Sequence, residues 1–515
     1  MRRLTTSTRR LRWQPSRGIQ AARSAGGLWY RQGVLGILGR LAHARFAAAL
    51  YRVSETLEQH PDAQLVYSDE DRIDAQGRRH APCCKCRWNP DLFLSVNMVG
   101  NLLALRTRLA RQVGGVRAGF EGAHEYDLLW RCVERLQPSQ IAHIPRVLYH
   151  RRAAAGQRAT APEALPAGAR AINEHLARTN VAAVAESQPN GTYRVHYRLP
   201  DSPPLVSLII PTRNALELLQ RCVASVWQYT DYPRYEILLV DNGTDDPDAL
   251  VYLDRLRNRP NVRVLRDPRP FNYSALNNFA IAQARGEVIG LLNNDVEVIS
   301  GGWLGTMVSI AWQPGVGAVG ARLWYPDGTL QHGGVVLGYG GGAGHAYKRL
   351  RRGEAGNQGR AEVMQGYAAV TAACLVVRQD RFLEVGGFNE EDLPITFNDV
   401  DLCLKLRERG YRNVWTPFAE LYHWESASRG EDDTAEKRAR FARELAYLQT
   451  RWGAWLADDP AYSPNLTLQR EDFSLAWPPR VQDAADGPDA SWVCDAAWMV
   501  AGRTRGANDD GGVVR

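Results

Sequence analysis

Leu205-Val206-Ser207-Leu208-Ile209-Ile210-Pro211-Thr212-Arg213-Asn214 is a run of mostly branched apolar residues, shut by a proline and followed by polar side chains. Such a run reads as a strand buried on both faces, as in a parallel sheet. Leu216 to Tyr229 follows with Leu218, Leu219, Cys222, Val223 and Val226 at helical spacing. Tyr235 to Val240 reads as a second strand, ending at Asp241, and Val262 to Leu265 as a third. Tyr273 to Ala284 has a helical pattern. Val288 to Leu292 is a fourth strand, ending at Asn293-Asn294-Asp295. Strands and helices alternating through short links predict an α/β domain with a mostly parallel central sheet. Ligands of such sheets sit beyond the carboxyl ends of the strands, so the polar strand ends are the places to look.

The chain has 515 residues, enough for two or three domains. Its hydrophobic content of 45% and charged content of 23% exclude a wholly disordered or fibrous chain. No apolar run is long enough to span a bilayer as a helix. The net charge is +7, but the excess is local: residues 1–50 hold ten Arg and no acid. The remainder is near neutral, which argues against a broad nucleic-acid surface. The eight Cys are scattered without zinc spacing and read as reduced thiols. Four segments follow: a basic, poorly ordered arm (1–50), a first folded unit (51–200), a second (201–480) and a loose tail (481–515). The linker Leu199-Pro200-Asp201-Ser202-Pro203-Pro204 separates the units.

The two units share a repeat. Val113-Gly114-Gly115, Glu125-Tyr126-Asp127-Leu128 and Leu148-Tyr149-His150 form one copy. Val385-Gly386-Gly387, Asp399-Val400-Asp401-Leu402 and Leu421-Tyr422-His423 form the other. The first unit therefore reads as the back half of the second, without its front half.

The strand ends carry the candidate chemistry. Asn293-Asn294-Asp295 suits a hard cation and a sugar or phosphate hydroxyl, or is a turn. Pro211-Thr212-Arg213-Asn214 and Asp241-Asn242-Gly243-Thr244 are each readable as turns, yet three polar ends on one sheet edge favour a nucleotide pocket. Asp399 and Asp401 open a helix, where a carboxylate caps the end or serves as a general base. His423 reads as a packed side chain or a metal ligand. Ser426 to Asp433, with Arg429, reads as a mobile loop or a lid over phosphates. Gly338 to Gly344 lacks the Lys of a phosphate loop and reads as a loop near an acceptor, beside His345 and Tyr347.

In this order and with these gaps, Val206 to Asn214, Ile237 to Thr244, Phe271 to Asn278, Gly286 to Val298, Val363 to Asn389, Asn398 to Arg412 and Leu421 to Gly430 resemble the family 2 inverting glycosyltransferases. The rhamnosyltransferase-like branch of bacterial cell-surface polysaccharide assembly is the nearest in pattern. Residues 60–152 resemble, more loosely, the back half of the first domain of two-domain members. The resemblance implies a GT-A-type nucleotide-diphospho-sugar transferase domain preceded by a truncated GT-A-like unit. It implies that Pro211, Thr212, Arg213 and Asn214 line the base pocket and that Asp241 bonds the base or ribose. Asn278, Asn293, Asn294 and Arg429 fall on the donor side, and Asp401 and Trp424 on the acceptor side. Asp295 and His423 would hold Mg²⁺ or Mn²⁺, and Asp399 would be the catalytic base. Asn293 departs from the Asp that opens the family's Asp-x-Asp motif.

The implied partners are a nucleotide-diphosphate sugar, of dTDP-rhamnose or UDP-sugar type, and a glycan or lipid-linked acceptor. The expected location is the cytoplasm or, peripherally, the inner face of the plasma membrane, where the basic arm, which reads equally as a transit peptide or a wrongly assigned start, would meet anionic lipid. Two other readings stand beside this one. A sugar-phosphate nucleotidyltransferase would want a Gly-rich basic loop after the first strand, which Pro211 to Asn214 is not. A non-catalytic or decayed scaffold would explain the shortened first unit.

Overall fold

The computed structural model describes residues 34–38, 46–152, 164–424 and 434–481. The first unit runs β1 (Val34–Leu38), α1 (Phe46–Gln59), β2 (Leu65–Ile73), β3 (Arg79–Cys83), α2 (Pro90–Ser95), β4 (Leu102–Arg106), α3 (Thr107–Gln112), α4 (His124–Val133) and β5 (Ile141–Arg152). Helix α5 (Ala164–Arg178) and the hairpin β6 (Ala183–Ser187) and β7 (Tyr193–Tyr197) complete it.

The second unit opens with β8 (Val206–Thr212), α6 (Leu216–Tyr229), β9 (Tyr235–Asp241), α7 (Pro247–Arg257), β10 (Val262–Arg266), α8 (Tyr273–Ile281), β11 (Val288–Leu292) and β12 (Val296–Val298). It continues with α9 (Trp303–Ala311), β13 (Val316–Trp324), β14 (Leu330–His332), β15 (Val335–Leu337), β16 (Ala343–His345), β17 (Gln365–Tyr367) and β18 (Cys374–Arg378). Helices α10 (Gln379–Glu384) and α11 (Asn398–Glu408), β19 (Arg412–His423) and the long helix α12 (Ala435–Ala457) close it.

The main sheet has the order β10-β9-β8-β11-β18-β13-β19-β12. Its first four strands are parallel, as the uninterrupted apolar runs predict, and β8 and β11 are buried along their whole lengths. Strand β18 is antiparallel to both neighbours, while β13 and β19 are parallel, so the sheet is mixed in its second half. The α/β class holds. Helix α7 was not expected from the sequence; Pro247 at its first position and the Asp246 cap on Asp248 and Ala249 start it.

The smaller sheet repeats part of this pattern. β1 is antiparallel to β4, β4 to β2, and β2 is parallel to β5, with β3 hairpinned on β2. The larger sheet pairs β11 with β18, β18 with β13 and β13 with β19 in the same senses, with β14 hairpinned on β13. Gly114 and Gly115 take φ of 83° and 65°, and Gly386 and Gly387 take 77° and 65°, the left-handed exit that glycine allows after a helix. Strand β1 lies within the segment expected to be a poorly ordered arm, and α1 begins at Phe46, within the last five residues of that segment. The backbone of 34–38 is held by β4, whose own pairing with β2 anchors it. Residues 1–33 of the arm and the tail beyond 481 lie outside the described residues.

The two units share one apolar core, which runs from Leu65, Phe93 and Trp130 to Val206, Leu208 and Trp303. Polar contacts fix the register between them. Asn89 caps α2 through Leu92 N at 3.0 Å, and its side chain also donates to Gly366 O (2.8 Å) and accepts from Gly366 N (3.0 Å) on β17. Arg412 Nε reaches Asp91 at 3.0 Å, and Asn465 Nδ2 reaches Asp69 at 2.8 Å. Asn89→Ala removes a helix cap and leaves both buried Gly366 groups unpaired. It should destabilise the chain by about 2–4 kcal/mol, read as a lower denaturant midpoint at unchanged slope.

Candidate active site

The segment Thr371–Ala373, leading into β18, organises the carboxyl edge of the sheet. Asn293 N donates to Ala373 O (3.1 Å), which sets the chain direction as it leaves β11. Tyr273 Oη, at the start of α8, donates toward Asn293 Oδ1 (3.2 Å) and Ala372 O (3.3 Å). Ala372 N donates to Asp399 Oδ2 (3.0 Å), and Thr371 N lies 3.4 Å from His332 Nε2. Three consecutive residues therefore hold the end of β11, the start of α8 and the start of α11 in one frame. Burial, then the Asp399 and Asp295 carboxylates, raise the Tyr273 hydroxyl far above its usual range, so it stays a neutral donor.

Asp399 stands in the first turn of α11, behind Phe397, whose φ of 60° turns the chain sharply into the helix. Its Oδ1 accepts from Val400 N (2.8 Å). Two backbone amides, Ala372 N and Val400 N, thus hold its two oxygens. Asp399 lines a cleft of about 300 Å³ together with Asn293, Gln331, His345, Phe397 and His423.

On the other wall, His423 ends β19 opposite Val296 of β12, three residues beyond β11. Trp424 N donates to Asp295 O (2.9 Å), tying the two strand ends together. His423 Nε2 lies 3.2 Å from Asp295 Oδ1, an oxygen that is buried and accepts no hydrogen bond among the described residues. His423 Nδ1 is 2.8 Å from Gln331 Oε1, and Asn293 Nδ2 is 3.4 Å from Nε2. An orphaned carboxylate oxygen beside an imidazole nitrogen fits a divalent cation of the Mg²⁺ or Mn²⁺ kind, which keeps few protein ligands and takes its other oxygens from water and phosphate. Among the described residues no three His, Cys, Asp or Glu side chains gather as a complete cage.

The donor-side residues divide. Thr212 and Asp241 are register partners at the ends of β8 and β9, and Asn294 Nδ2 reaches Thr212 Oγ1 at 3.2 Å. The ends of β8, β9 and β11 thus adjoin, as expected, although Asp241 does not itself line the cleft. Asp241 is 1% exposed, accepts from Thr244 N (2.8 Å) and pairs with Arg266 at 2.6 Å. Pro211 is buried and Arg213 exposed. Asn214, at φ 56°, accepts from Asp245 N and Asp246 N and so holds the neighbouring loop.

Three expected site residues spend their contacts elsewhere. Asn278 spends its carboxamide on Phe388 and on Glu390 (2.7 Å), clamping α8 to the loop after α10 rather than facing a donor. Asp401 is 1% exposed and bound by Trp452 Nε1 and Lys405 Nζ, both at 2.9 Å. One residue in two around a helix turns well away, so Asp401 anchors α12 and offers nothing to an acceptor. Trp424 lies under the Arg221 guanidinium at 4.1 Å and donates to Glu297 at 3.3 Å, and it is not a cleft residue. Arg429 and the proposed lid lie outside the described residues.

Tyr273, Gln331 and the Thr371–Ala373 frame were not visible in the sequence. A single glutamine in Leu330-Gln331-His332 carries no signal of its own.

Residues 207–357 match Glycosyl transferase family 2. The matched stretch opens in β8 and takes in the parallel half of the main sheet and the end of β11. It is 50% identical over 438 residues to uncharacterized protein y4gI of Sinorhizobium fredii, covering 84% of this chain and 48% of that one. It is 41% identical over 434 residues to the O-antigen biosynthesis protein RfbC of Myxococcus xanthus, covering 83% of this chain and 33% of that one. An N-acetylglucosaminyl-diphospho-decaprenol L-rhamnosyltransferase of Mycobacterium tuberculosis is 29% identical over 46% of this chain and 81% of its own. The chain thus spans about half, or a third, of the length of the first two relatives.

Proposed function

We propose that the chain is an inverting glycosyltransferase. It moves a sugar from a nucleotide-diphosphate donor, of dTDP-rhamnose or UDP-sugar type, to a glycan or lipid-linked acceptor in bacterial cell-surface polysaccharide synthesis. The O-antigen and rhamnosyltransferase names of its relatives support that pathway class. One observation carries the chemistry: the Asp399 carboxylate, fixed by Ala372 N, lines the same cleft as His423, which touches Asp295.

In this reading the acceptor hydroxyl enters beside Asp399, which takes its proton as the oxygen attacks the anomeric carbon. The new carbon–oxygen bond forms as the bond to the nucleoside diphosphate breaks, and the electron pair leaves with the diphosphate. A single displacement inverts the centre and needs one base. Asp295 and His423 would hold Mg²⁺ or Mn²⁺, which offsets charge on the leaving diphosphate. Asn293, Asn294 and the strand ends at Thr212 and Asp241 would bind the nucleotide side. The first unit is proposed to be a shortened copy that packs against the transferase and binds no donor. Among the described residues it has no counterpart of β8 to β10, and Glu125 falls where Asp399 does.

Among the described residues no helix is long and apolar enough to cross a membrane. Action at the inner face of the plasma membrane therefore rests on a lipid-linked acceptor and on the basic arm as a surface contact.

A thermal-shift panel of nucleotide sugars, with and without Mg²⁺ or Mn²⁺, tests the donor class. A fitting donor at about 100 times its Kd should add about 2.7 kcal/mol of stability. The expected result is a rise with a dTDP- or UDP-sugar that requires the metal. No rise with any donor would favour the non-catalytic scaffold.

A further inference from the structure

We propose that Gln331 is a positioning residue that fixes the tautomer of His423 and so readies Nε2 to ligate the metal. The inference rests on the metal-assisted transferase proposed above. The side-chain oxygen of Gln331 lies 2.8 Å from His423 Nδ1. An oxygen there can only accept, so Nδ1 carries the proton. Nε2 is left with its lone pair, and it is Nε2 that faces the orphaned Asp295 oxygen at 3.2 Å. The second contact to Nε2 agrees, because the Asn293 amide nitrogen at 3.4 Å can only donate.

Gln331 is well built for this. It lies on β14, hairpinned on β13, which is itself the parallel neighbour of β19. Its residue is 1% exposed, so no bulk water competes for the imidazole N–H. The next residue, His332, turns to the other side and meets the Thr371 amide of the frame that holds Asp399. The Gln331-His332 dipeptide thus touches both halves of the cleft, one residue toward the metal ligand and one toward the base. A neutral acceptor also suits the charge balance. A carboxylate in its place would still accept from Nδ1, while adding a third negative side chain near Asp295 and Asp399.

With Gln331→Leu the acceptor is lost while side-chain bulk is kept. Either ring nitrogen of His423 can then carry the proton. Loss of such an outer partner typically weakens metal binding 10–100-fold. Gln331→Glu restores an acceptor and should recover most of that loss. The readout is the Kd of Mn²⁺ by electron paramagnetic resonance on the full chain, in saturating UDP and separately in dTDP. Circular dichroism melts of the metal-free variants report folding alongside.

The expected result is a 10–100-fold rise in the Mn²⁺ Kd for Gln331→Leu, a near-normal Kd for Gln331→Glu, and a far larger loss for His423→Ala. Equal weakening by Leu and Glu would assign Gln331 a packing role and overturn the proposal. So would an unchanged Kd in Gln331→Leu beside a lost one in His423→Ala, and that result would leave the metal reading standing. No Mn²⁺ binding by the wild-type chain with either nucleotide would overturn both.

Discussion

Asp399→Asn should cut sugar transfer by at least about 10²–10⁴-fold while donor-dependent thermal stabilisation stays close to that of the wild type. The substitution is isosteric; with the carboxamide oxygen kept on Ala372 N the frame around Thr371–Ala373 is preserved, while the amide group turned toward Val400 N gives up that second bond. What disappears is a group able to take a proton from the acceptor hydroxyl. The neighbouring Asp401→Asn provides the contrast. Its oxygen can still receive Trp452 Nε1, but the pair with Lys405 is lost in a buried setting, so stability falls while transfer per folded molecule persists. Transfer by Asp399→Asn at more than about a tenth of the wild-type rate would remove Asp399 from the role of base. A loss of the same size in Asp401→Asn, at equal folding, would show that turnover responds to the position of the helix and not to one carboxylate.

That contrast also marks how far the sequence reads. The apolar runs give some elements to the residue: Val288 to Leu292 is β11 and Leu216 to Tyr229 is α6. Strand periodicity and burial are local properties, so they show in a single chain. Asp399 and Asp401 look equivalent in the text because both stand at a helix start. Only helix rotation and the arrival of Trp452 from α12, 51 residues on, separate them. Asn278 misleads for the same reason: its partners Phe388 and Glu390 lie 110 and 112 positions away. Val34–Leu38, inside the arginine-rich arm, pairs with β4, a contact that composition does not announce. Long-range hydrogen bonding decides which polar residues are free for chemistry, and composition does not report it.

The second large effect is expected at Asp295 and His423. Asp295→Asn and His423→Ala should each abolish the part of nucleotide binding that depends on Mn²⁺, a loss of about 100-fold or more in affinity for UDP or dTDP when the metal is present. Without metal, each variant should bind the nucleotide about as weakly as the wild type. The size follows from the donor set. Asn293 stands where a second carboxylate would, and its amide is occupied by the Tyr273 hydroxyl and lies near His423. One carboxylate and one imidazole hold a hard cation poorly by themselves, so the diphosphate must supply the remaining charge and oxygens. Metal and nucleotide should therefore bind with strong positive coupling, each tightening the other by the same factor. Calorimetric titration of UDP and of dTDP, with and without MnCl₂, measures that factor directly. Coupling that survives in both variants would mean that the metal is held elsewhere. Asn293→Asp is the converse test: adding back a carboxylate beside Asp295 should let Mn²⁺ bind before the nucleotide and shrink the coupling.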